Sequence, residues 1–132
     1  MAAPPDMKKV KLFAPPAYWD TPAEDVDKIT GGCGPGRFGD WLVPDSLLFL
    51  SIKKACRIHD FMYAIGETID DKERSDRVFL NNMLRLIMAG AKFWLLRNPR
   101  MRMAYGFYEM VKRYGGPAFW HGKNSDKEEK EA

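Results

Sequence analysis

No run of apolar residues in this chain approaches the roughly 20 that a membrane-spanning helix needs, so no span is expected. The opening "MAAPPDMKKVKLF" has no apolar h-region ahead of a small-residue cleavage site, so no secretory leader is visible either. Cysteine is scarce, with two in 132 residues. A chain of this length buries a core without metals or a framework of cross-links, and one soluble domain over 1–123 is expected. No strand signal is strong and no internal repeat occurs. Acidic side chains nearly vanish from one segment: residues 81–123 carry eight basic residues against Glu109, net +7, whereas residues 1–80 carry 11 basic and 13 acidic, net −2.

The same basic segment holds Phe93, Trp94, Tyr105, Phe107, Tyr108, Tyr114, Phe119 and Trp120. Cations interleaved with rings suit a phospholipid surface, where rings sit at headgroup depth, and equally nucleic acid, where they stack on bases. A solvated basic face over an aromatic core is the plainer alternative. Residues 124–132, "NSDKEEKEA", are polar and are expected to form a disordered charged tail.

Caps and stripes predict a mostly helical, all-α domain. Thr21, Pro22 and Glu24 predict a capped helix over about 22–29, stopped by Gly31 and Gly32. "GGCGPGRFGDWLVPD" has too many backbone breakers for helix or strand and reads as a structured loop. From about Ser46 to Ile65 a helical stripe runs through Ile52, Cys56, His59, Tyr63 and Gly66. Asp70 and Glu73 have capping-box spacing for a helix to about Gly90, with Asp76, Phe79, Leu80, Met83, Leu86, Ile87 and Gly90 on its inner face. Asn98 and Pro99 predict the start of another, striped by Met103, Phe107, Val111 and Tyr114 and ended by Gly115 to Pro117.

Two polar residues interrupt these apolar faces. The connection from Gly66 to Asp70 is short, so the flanking helices are expected to form an antiparallel pair. His59 lies seven residues before Gly66 and Asp76 six after Asp70, which places both about 10 Å from the bend and facing each other. A carboxylate bonded to an imidazole N–H offsets the cost of burying either, and Tyr63, one turn on, can join it. Such a cluster serves catalysis or structure alone. Asp60 lies about 100° round the helix, where a calcium ion would fit beside main-chain carbonyls turned inward by "GGCGPG". By itself that hexamer is equally a connection between helices.

In combination these residues resemble the phospholipase A2 superfamily. Its helix motif places a cysteine three residues before His-Asp-x-x-Tyr, and "CRIHDFMY" supplies Cys56, His59, Asp60 and Tyr63 in that spacing. Its calcium loop carries Cys-Gly-x-Gly, and "CGPG" supplies Cys33, Gly34 and Gly36. The chain's two cysteines fall on positions that the family joins by a disulfide, and the resemblance implies a Cys33–Cys56 bridge.

It further implies His59 as general base toward a water, Asp76 as its orienting carboxylate and Tyr63 as support for Asp76. Calcium would be held by Asp60 and the carbonyls of Gly32, Gly34 and Gly36, with the Gly34 N–H stabilising the oxyanion. The implied reaction is hydrolysis of the sn-2 acyl ester of glycerophospholipids at a membrane surface, with no nucleic acid partner. The match covers about residues 31–80. Gly32 stands where secreted members usually have tyrosine, the stretch from Arg37 to Ala55 is long, and the other family cysteines are missing. The chain is thus more similar to the short, disulfide-poor bacterial, phage and parvovirus-capsid branches. It is expected to be secreted or carried by a virus or phage particle, although no signal peptide is visible. The alternative expectation is a phospholipase-like module that binds membrane or partner without turnover.

Overall fold

The computed structural model describes residues 10–30, 45–90 and 94–123. The chain is mostly helical. Among the described residues the helices are α1 (Pro16–Asp20), α2 (Ala23–Thr30), α3 (Lys53–Ile65), α4 (Ile69–Ala89), α5 (Trp94–Tyr114) and α6 (Gly116–Trp120), and a hairpin, β1 (Ser46–Leu47) and β2 (Leu50–Ser51), precedes α3. No described helix is long and apolar enough to cross a membrane.

The core lies where α3, α4 and α5 meet. Ile58 and Met62 of α3, Phe79, Met83, Leu86 and Ile87 of α4, and Ala104 and Val111 of α5 are buried together. Leu47, Leu50 and Ile52 close one end of it. The N-terminal segment is strapped to α4 by Asn82, whose side chain accepts from the Phe13 N–H at 2.8 Å and donates to the Phe13 carbonyl at 2.9 Å. A fully buried amide thus satisfies the main chain as a neighbouring strand would.

Several local expectations change. Residues 46–51 form a hairpin, because Leu47 and Leu50 are cross-strand partners; a spacing of three fits a two-residue turn as well as a helix face. Thr21 donates its hydroxyl to the Ala17 carbonyl and closes α1 instead of capping α2. The capping box of α4 is Thr68 with Asp71, an overlapping match two residues before Asp70 and Glu73. Pro99 lies inside α5, near its start, where it removes the bond to the exposed Leu95 carbonyl position instead of opening the helix. The buried face of α5 is accordingly Arg100, Ala104 and Val111, with Tyr114 exposed. The predicted stop at Gly115 is followed by the short helix α6.

Gly66 ends α3 because another element needs the space. A Cβ there would stand 2.7 Å from Cε2 of Phe119 and 3.1 Å from Cβ of Asp71. Phe119 is fully buried and packs edge-on to Tyr63, so its ring has no solvent to swing into. Gly66→Ala is expected to destabilise the fold by about 1–3 kcal/mol through overpacking, read as a lower urea midpoint at unchanged slope. An unchanged midpoint would mean that α6 is not seated on the end of α3.

Candidate active site

Helices α3 and α4 are joined by only Gly66 to Thr68 and pack along each other, which brings their two polar core positions together. His59 Nε2 lies 2.8 Å from Asp76 Oδ1, and the Tyr63 hydroxyl donates to the same oxygen at 2.5 Å. Both His59 (2%) and Asp76 (1%) are sealed from solvent. Phe79 stacks on the imidazole with ring centres 4.6 Å apart, and Tyr63 tilts against it at 4.2 Å. The ring therefore has one orientation, set by two aromatic walls and a carboxylate.

Protonation follows from the contacts. Burial pushes the Asp76 carboxyl up, but the hydrogen bond and charge of His59, with bonds from Tyr63 and Lys72, outweigh it and hold the group below the usual carboxylate range. An ionised carboxylate only accepts, so Nε2 carries a proton and Nδ1 of the neutral ring carries the lone pair. Burial, then the charge of Asp76 and the hydrogen bond to it, push the Tyr63 phenol far above its ordinary value. It stays a donor across the physiological range.

Lys72 is the member that the sequence reading missed. It is 5% exposed, and its Nζ donates to Asp76 Oδ2 at 2.9 Å and to the carbonyls of Val111 and Lys112 at 3.2 and 3.4 Å. Its signal was present, since Lys72 precedes Asp76 by four residues on the same helix face. With Lys72 charged, the trio of Lys72, Asp76 and His59 is neutral while the imidazole is neutral and net positive once it takes a proton. One carboxylate then faces two cations.

Asp60 is partly buried on α3, adjacent in sequence to His59. Cys56 is a thiol that burial, then the charges of Asp60 and Asp45, push up to about 12, so it remains protonated near neutrality. Gly32, Cys33, Gly34 and Gly36 lie outside the described residues, as does the charged tail 124–132. Among the described residues no three His, Cys, Asp or Glu side chains gather as a metal site. A calcium site built from one carboxylate and main-chain carbonyls needs no such gathering, and Asp60 offers the hard oxygen donor that calcium takes.

The described groups can orient an imidazole, hold its tautomer and accept a proton at Nδ1. At 2% exposure, an ester or a water reaches His59 only when what covers it is displaced. In comparisons with known proteins, the chain matches no family model, no curated protein and no solved structure.

Proposed function

We propose that this protein is a calcium-dependent esterase of the phospholipase A2 type, cleaving the sn-2 acyl ester of glycerophospholipids to a fatty acid and a lysophospholipid. The observation that carries the reading is the bond between His59 Nε2 and Asp76 Oδ1 inside a sealed aromatic pocket, with Asp60 beside it in the chain. His59 takes a proton from water at Nδ1 while Asp76 and Tyr63 hold the ring. Asp60 would hold calcium with the carbonyls of Gly32, Gly34 and Gly36. The bound ion would polarise the ester carbonyl. The two helices and the glycine loop together would make the phospholipase site, and the cations and rings of 81–123 would meet the membrane.

Removal of metal tests this directly. Release of fatty acid from sn-2-labelled phospholipid vesicles is expected to stop when calcium is chelated and to return on its re-addition. Release that continues at full rate in chelator would reject the metal-dependent mechanism.

A non-catalytic lipid-binding module is the second reading, and Lys72 favours it, because its ion pair to Asp76 suits a structural network. Vesicle binding without product under any calcium concentration would establish it over the first.

A further inference from the structure

The turn between β1 and β2 is built against local preference. Leu48 and Phe49 both hold positive φ, 45° and 72°. A two-residue hairpin with both central residues in that region calls for Asn-Gly or Asp-Gly, and a bulky side chain there is strained. Phe49 nevertheless projects into solvent at 97% exposure, so no packing within the described chain compensates for the conformation. The turn is also braced. Arg100, buried in α5, donates from Nε to the Leu47 carbonyl at 3.1 Å and from Nη2 to the Leu48 carbonyl at 2.8 Å. On the other side Leu50 reaches the end of α4, with its Cδ1 3.2 Å from where a Cβ on Gly90 would lie.

The surroundings select a partner. Trp94 and Leu95, both exposed, begin α5 within two turns of Arg100. Residues 84–102 contain five basic and no acidic side chains, and Lys54, Arg97 and Arg102 are exposed at their positions. A two-residue tip is far smaller than the roughly 800 Å² per side that a stable protein interface buries. A single exposed ring on a turn braced by α5, whose surrounding sequence is basic, suits insertion at the headgroup boundary of an anionic bilayer.

We infer that the Leu48–Phe49 turn is a lipid-inserting wedge, strained in solution and held ready by Arg100, that anchors the protein on anionic membranes. This deepens the lipid-surface reading above and rests on it for the choice of lipid, but it requires no turnover. Binding is therefore measured in chelator, by flotation of the full chain with vesicles of phosphatidylcholine containing phosphatidylglycerol. Dispersed short-chain phospholipid, assayed separately with calcium, reports on chemistry alone.

Phe49→Ser is expected to weaken partitioning about 10- to 100-fold, the loss of one buried aromatic side chain, with hydrolysis of dispersed substrate unchanged. The paired change Leu48→Asn with Phe49→Gly installs residues that favour the turn. It is expected to raise the thermal midpoint while losing the same binding, a combination that a structural role for the tip does not give. Vesicle affinity unchanged in either variant, no binding by the parent, or a lowered midpoint in the paired variant would overturn the wedge. Self-association abolished by Phe49→Ser at constant vesicle affinity would overturn it in favour of a second copy of the chain. A parent protein that binds vesicles but does not hydrolyse dispersed substrate would count against the esterase reading and leave the wedge standing.

Discussion

His59→Gln is expected to lower the rate of sn-2 ester hydrolysis about 10²- to 10⁴-fold, the usual contribution of a positioned general base, while the folded chain and its vesicle binding persist. Glutamine is the informative replacement because its amide N–H can still donate toward Asp76, whereas the atom corresponding to a basic Nδ1 is gone. The buried carboxylate keeps a donor, so the change separates proton transfer from packing. Alanine would confound the two by opening a cavity between Tyr63 and Phe79, the rings that sandwich the imidazole. The measurement is initial rate on labelled phospholipid in saturating calcium, beside a urea unfolding curve for each protein. A Gln variant retaining more than a tenth of parental activity would remove His59 from the chemistry and leave the cluster as architecture.

Asp76→Leu is expected to cost about 3–5 kcal/mol of stability, the range for breaking a buried ion pair from one side. The carboxylate accepts from His59, Tyr63 and Lys72 at once, and its removal strands an ammonium that is almost wholly enclosed. Adding Lys72→Met to Asp76→Leu removes the stranded cation and is expected to recover part of the loss. The sign of that coupling is the test. A single variant costing less than about 1 kcal/mol, or a double variant less stable than the single, would show that the pair is not the balanced unit described.

The pH response has the same origin. The folded Asp76 carboxyl titrates below its unfolded value of about 3.9. Its ionised form therefore stabilises the fold at every pH above that value, and the contribution drains away as pH falls through the lower, folded value. Stability of the parent is expected to decline on acidification below about pH 4. The decline should be shallower in the double variant, though Asp71, held low by bonds from the Glu67 and Thr68 amides, keeps its own part.

Legibility in the sequence followed periodicity. His59 and Asp76 stood out because each interrupts a clean apolar stripe, and the short link at Gly66 left few ways to pair the helices. Tyr63 followed from one helical turn. Lys72 was overlooked because a lysine is read as surface by default, and its burial depends on two carbonyls supplied by α5, about 40 residues on. The hairpin at 46–51 was hidden for a different reason: leucines three apart satisfy two geometries, and the bonds from Arg100 that brace the hairpin come from about 50 residues on. Pro99 misled by resembling a helix start. Overlapping Thr68/Asp71 and Asp70/Glu73 boxes differ by two residues, which propensity alone does not resolve. Nothing local announced α6, whose place is set by Phe119 filling the space over Gly66.

Lys72 also constrains how this chain acquires its shape. Its ammonium has three protons, and the contacts it makes join α4 to itself and to the last turn of α5. Until α5 arrives, the ion pair lies open to water and α3 with α4 encloses no finished interior. The three helices are thereby coupled, because only the docking of α5 completes the enclosure of the charge.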